Sequence, residues 1–73
     1  MHNVFLGPGA TIGDNCIVNT GSIISHDVSI GDHCHICPGA IILGGARIMD
    51  KCTIGAGMVV EPGQTIKKGT SWK

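Results

Sequence analysis

A chain of 73 residues with no net formal charge, 42% hydrophobic and only 3% aromatic, makes one domain at most and buries too little apolar surface to stand comfortably without staples or partners. No basic run occurs, which excludes steering toward nucleic acid or an anionic membrane surface. The longest apolar run, "AIIL" at 40–43, falls far short of the roughly 20 residues that cross a bilayer, and no charged-then-apolar signal segment opens the chain; a cytoplasmic protein is expected.

In chain order the predicted elements are short strands set by a six-residue ruler. The first three fall at Leu6, Ile12 and Val18, the next at Ile24, Ile30 and Ile36, then Ile42, Ile48 and Ile54, and finally Val60, Ile66 and Trp72, without one insertion. Four residues after each, the side chain is usually small: Ala10, Cys16, Ser22, Cys34, Ala40, Ala46 and Cys52, with Val28 and Met58 as the larger members. Three residues after each stand Gly9, Asn15, Gly21, Asp27, His33, Gly39, Gly45, Lys51, Gly57, Gly63 and Gly69, a position whose glycines, Asn and Asp mark corners with positive φ. A helix would lose about 1 kcal/mol at each recurring glycine, and a hairpin sheet would reset the phase. The period instead predicts a parallel β-helix, in which one repeat buries its apolar face only when the next stacks on it. Three hexads close a triangular coil, so residues eighteen apart stack at about 4.8 Å, and the chain holds about four coils.

Sorting residues by column gives three faces. Cys16, Cys34 and Cys52 stack on the small inward position, where a core column of small apolar side chains is favoured over disulfides or a metal; Cys37 lies off that column, outward, as a free thiol. The outward positions read Phe5, Ile23, Ile41 and Val59 on one face, Thr11, Ser29, Arg47 and Thr65 on the next, and Ile17, His35, Thr53 and Ser71 on the third. The first is an apolar stripe, extended by Leu43. Such a stripe usually marks an interface, and self-association buries it most simply. A homotrimer packed around this face is expected, the alternative being an edge left by truncation.

His26 occupies a corner at one edge of the apolar face and Asn19 stands near the other edge, so a trimer would set His26 of one chain against the Asn19 side of the next and open a cleft between them. His35 points outward from the third face, half a coil from His26, on the order of 15 Å away within one chain. The column through His26 reads Pro8, His26, Gly44 and Pro62. The missing side chain at Gly44 is expected to leave a gap that admits a thioester and exposes the Gly44 amide. A base beside a backbone donor is the minimal kit for acyl transfer: the imidazole takes a proton from an attacking hydroxyl or amine and the donor stabilises the tetrahedral oxyanion. Asp27, next in sequence, would orient the ring. The bland alternative is a surface corner histidine.

The hexad repeat resembles the hexapeptide-repeat acyltransferases, which implies that the β-helix is left-handed, against the usual right-handed crossover. More locally, "NTGSIISHDVSIGDHCHICPGAIILGG" at 19–45 is similar to the core of the sialic acid O-acetyltransferase and UDP-4-amino-sugar N-acetyltransferase branch. The resemblance implies acetyl-CoA as co-substrate, a small-molecule sugar acceptor, His26 of the "HD" pair as general base with Asp27 as its acidic neighbour, His35 beside bound acetyl-CoA, and Asn19 and Gly44 lining the same cleft. It covers only the β-helical part. Residues 1–73 are read as one left-handed β-helix domain without the N-terminal nucleotide-sugar-binding domain that members usually carry, and "KKGTSWK" stands where a G-x-P-A segment often closes over the coenzyme. The chain therefore reads as a fragment, a minimal enzyme or an inactive relative.

Two other classes stay open. His26, His33, His35 and Cys37 are zinc-ligand types, and some trimeric left-handed β-helices are zinc-dependent carbonic anhydrases; the spacing here does not resemble theirs and the side chains point apart, so no metal is expected. A noncatalytic trimeric scaffold explains the ruler without any histidine. His33 reads as a structural corner residue, His2 as part of a loose terminus, and Trp72 as a plug over the open last coil.

Overall fold

The computed structural model describes residues 4–72, and every regular element in them is a two-residue strand. The first sheet stacks β1 (Phe5–Leu6), β4 (Ile23–Ile24), β7 (Ile41–Ile42) and β10 (Val59–Val60). The second stacks β2 (Thr11–Ile12), β5 (Ser29–Ile30), β8 (Arg47–Ile48) and β11 (Thr65–Ile66); the third stacks β3 (Ile17–Val18), β6 (His35–Ile36), β9 (Thr53–Ile54) and β12 (Ser71–Trp72). Pairing is parallel throughout, with Phe5 on Ile23, Ile23 on Ile41 and Ile41 on Val59. Each partner lies one eighteen-residue coil away, and the chain winds a β-solenoid of about four coils. His2 lies outside the described residues.

The second residue of each strand points inward. Ile24, Ile36, Ile42, Ile54 and Val60 are fully buried, and Val28, Ala40, Ala46, Cys34 and Cys52 fill the corners between them. Leu6 departs from the expected interior at 45% exposed, because the outermost described coil has a stacking neighbour on one side only. At the opposite end Trp72 packs against the core, partly buried, as a plug requires.

The eleven corner positions singled out by the ruler are the eleven residues with positive φ, and they are of two kinds. At the seven glycines φ lies between 70° and 77°, and the corner closes with an N–H to C=O bond across four residues, as from Ala40 to Cys37 at 3.2 Å. Pro8, Pro38 and Pro62 each precede one of these glycines. Proline followed by a positive-φ glycine is the signature of a type II turn. At Asn15, Asp27, His33 and Lys51 φ is 57° to 60°, the left-handed helical well that Asn and Asp tolerate best, and the four-residue bond is not made at hydrogen-bonding geometry. His33 is thus a corner residue; its N–H donates to Asp14 O, one coil back, at 2.9 Å.

The cysteine column donates to corner carbonyls, of which Gly31 O and Met49 O have no bond within their own corner while Lys67 O also accepts the Thr70 N–H. Cys16 Sγ donates to Gly31 O at 3.0 Å, Cys34 Sγ to Met49 O at 3.1 Å and Cys52 Sγ to Lys67 O at 3.0 Å. Ser22 Oγ does the same to Cys37 O at 3.0 Å. All four cysteines are free thiols, which answers the disulfide alternative, and Cys37 is half-buried rather than fully outward. Beside this column Asp32 Oδ1 accepts the Asp14 N–H at 2.7 Å and Asp50 Oδ1 the Asp32 N–H at 2.8 Å. Glycine at 13 and 31 makes room for those carboxylates, since a Cβ at either position would collide with Asp32 or Asp50.

Burial is the main influence pushing the Cys34 thiol above its ordinary pKa, so it stays a protonated donor. Its folded-state value being the higher one, the stability it contributes is complete at neutral pH and fades as pH rises through the alkaline range where the thiol ionises. Replacement Cys34→Ala should lower stability by roughly 1–3 kcal/mol by stranding the Met49 carbonyl. Cys34→Ser, which keeps a donor as Ser22 does, should cost less. Chemical denaturation at neutral pH measures both, and equal losses would show that the S–H donor contributes nothing.

Candidate active site

The corner after the first sheet carries His26 and Asp27. Asp27 sits in the left-handed well at φ 57°, and its N–H is tied to Pro8 O at 3.0 Å. That backbone turn brings its carboxylate back to the preceding ring, with His26 Nδ1 donating to Asp27 Oδ2 at 3.3 Å. The side chains are 64% and 74% exposed, so the pair is screened and adds little to stability. Its effect is orientation: a carboxylate that accepts from Nδ1 leaves Nε2 as the nitrogen with the lone pair.

Glycines seat both members of this dyad. The carboxylate of Asp27 lies against Gly9, where a Cβ would strike it. The His26 ring lies over Gly44, where a Cβ would come within 2.5 Å of Nε2 and 2.6 Å of Cε1. Gly44 is not among the glycines with positive φ, so it is glycine for space and not for conformation. The expected open gap above Gly44 is therefore filled by the imidazole itself, one coil away, and no slot for a thioester remains between them. The Gly44 N–H bonds to no described residue, while its carbonyl accepts the Gly63 N–H at 3.0 Å.

At the opposite edge of the first sheet, Asn19 and His35 are joined within one chain. Asn19 Nδ2 lies 2.8 Å from His35 Nε2. Sequence reasoning treated them as separate lining residues and missed the contact. The signal available was their offset of sixteen residues, two short of a coil, which sets the corner residue Asn19 diagonally beside the strand position that stacks on Ile17.

The structure thus brings His26 together with Asp27 and Gly44, and Asn19 together with His35, and it keeps the two groups at different edges of the first sheet. Between them runs the apolar stripe, with Phe5 58%, Ile23 41% and Val59 39% exposed and Ile41 and Leu43 half-buried. Among the described residues no concavity sized for a small molecule opens, and no three His, Cys, Asp or Glu side chains gather as ligands for a metal.

Residues 9–44 and again 27–62 match the bacterial transferase hexapeptide (six repeats) family. The chain belongs to this family. The two matched stretches are offset by one coil and together span all five candidate residues of this hexapeptide transferase. No curated protein matches the chain significantly, and no helix among the described residues is long and apolar enough to cross a membrane. In this hexapeptide transferase, Gly44→Ala should keep the solenoid but tilt the His26 ring off its seat. The expected result is an unchanged circular dichroism spectrum with displaced His26 ring proton resonances, and unmoved resonances would refute the assigned role of Gly44.

Proposed function

We propose that the chain is an acetyl-CoA-dependent acetyltransferase acting on the hydroxyl or amine of a sugar or nucleotide-sugar, in the manner of the sialic acid O-acetyltransferase and UDP-4-amino-sugar N-acetyltransferase branch. The observation that carries the reading is the His26–Asp27 dyad seated over Gly44. With the Nδ1 proton directed at Asp27, Nε2 is free to take the proton from the acceptor as its oxygen or nitrogen attacks the thioester carbonyl. The new C–O or C–N bond forms, the C–S bond breaks, and the imidazolium returns its proton to the departing sulfur, so the coenzyme leaves as the thiol. The unbonded Gly44 N–H is the candidate donor to the oxyanion, and general base catalysis of this kind supplies on the order of 10²–10⁴ in rate.

The site is completed by a second copy of the chain. The apolar stripe on the first sheet supports a homotrimer with Phe5, Ile23, Ile41, Leu43 and Val59 at the interface, and packing around that sheet sets the His26 edge of one protomer against the Asn19–His35 edge of its neighbour. A small-molecule acceptor and acetyl-CoA would share the resulting cleft, without a metal. Four free cysteines fit a reducing cytoplasmic setting.

Calorimetric titration with acetyl-CoA and separately with zinc discriminates the classes. Binding of acetyl-CoA alone is expected; zinc binding alone would favour the carbonic anhydrase type of enzyme, and binding of neither a noncatalytic scaffold. In the trimer, His26→Ala should lower turnover of an acceptor found by screening sugar amines and hydroxyls by about 10²-fold or more, and unchanged turnover would reject the base. Ile41→Asp should yield monomer or insoluble protein, because three carboxylates would crowd a desolvated axis; sedimentation of an intact soluble trimer would count against the stripe as the interface.

A further inference from the structure

Asn19 is half-buried in the corner that leads into the first sheet, and its backbone is fixed by donation from its N–H to Ile36 O at 2.9 Å. That bond holds it beside the strand that presents His35. Its Nδ2 carries two N–H donors and no lone pair for a hydrogen bond, and it stands 2.8 Å from His35 Nε2. A donor-only neighbour requires the ring nitrogen to accept, which places the proton of a neutral imidazole on Nδ1. That nitrogen bonds to no described residue, and the ring is half-buried at an outward strand position.

The geometry points to Asn19 as a positioning residue that fixes His35 in the Nδ1–H tautomer, so that the free edge of the ring offers an N–H donor to the acyl carbonyl of the thioester. This rests on the acetyl-transfer reading above. It also gives Asn19 another task than lining the cleft for the acceptor, because one of its donors is spent on the ring. The tautomer decides the chemistry. An N–H toward the carbonyl oxygen stabilises the negative charge that grows there, whereas the opposite tautomer turns a lone pair toward the same oxygen and repels it.

Long-range proton–nitrogen correlation spectra of the histidine-labelled chain, recorded at a pH where the rings are neutral, test the assignment directly. The native chain should show His35 as Nδ1–H. In Asn19→Asp, whose carboxylate only accepts, the proton should move to Nε2, and Asn19→Ala should lose the strict preference, with the circular dichroism of both variants unchanged. A native His35 in the Nε2–H form, or the same tautomer in all three proteins, would overturn the inference. Affinities for acetyl-CoA and for coenzyme A, compared by calorimetry, test the carbonyl role. The native chain should prefer the acetylated form, and Asn19→Asp should lose about tenfold of that preference, the worth of one hydrogen bond to a polar acceptor. An undiminished preference would sink the carbonyl role. Should the native chain bind neither coenzyme, the acetyl-transfer reading and the carbonyl role fall together, while the spectra still decide whether Asn19 sets the ring.

Discussion

Everything in this molecule depends on parallel pairing of each strand with the strand one coil away. Two-residue strands are too short to hold a sheet by themselves, and a single hexad has no interior to bury. Stacking supplies both. The strand N–H and C=O groups find partners in the next coil, and Ile24, Ile42 and Val60 meet in one column of the interior. A one-residue insertion within a strand would exchange its core and solvent positions, and the ruler runs unbroken from Leu6 to Trp72.

The price of so tight a coil is a corner every six residues, and the two kinds of corner divide the labour. Glycine corners close a bond within themselves. The corners at Asn15, His33 and Lys51 share one vertical column, and the acceptors they free are met from outside the turn: Cys16 reaches Gly31 O and Cys34 reaches Met49 O. No buried side-chain polar atom is left without a partner among the described residues. The fourth corner without glycine is Asp27, which stands alone in its column with Gly9, Gly45 and Gly63 as stacking neighbours. A side chain accepted in a strained region, where glycine serves in the neighbouring coils, is the kind of local exception found at functional positions.

The parallel coils and their columns were legible in the sequence, because a period of six leaves only one way to bury one residue in each hexad and only the corner residues to turn the chain. The positive φ of Lys51 and His33 followed from the same counting, although neither residue type favours it. The site was legible only as columns. That Gly44 stacks on His26 came from counting eighteen; that the ring falls into the space at Gly44, and does not leave it open, depends on a side-chain rotamer that no spacing encodes. The Asn19–His35 bond escaped because counting by whole coils groups Asn19 with Cys37, whereas a side chain reaching diagonally to the neighbouring coil connects positions sixteen apart. Contacts made straight along a column are written in the period; contacts made across columns are written in side-chain length.

The separation of the two candidate groups has a further consequence. Within one chain His26 and His35 flank the first sheet, and the apolar stripe between them offers neither of them a wall. The same stripe that needs covering is therefore the surface whose covering would bring a neighbour's edge to each group. On the acetyl-transfer reading, folding, assembly and chemistry are coupled through Ile23, Ile41 and Val59: a change that leaves every polar residue in place but keeps protomers apart removes half of each cleft. On the same reading a short solenoid with a small core would gain from assembly twice, by burying a face it cannot cover alone and by supplying each base with the coenzyme side of the next chain.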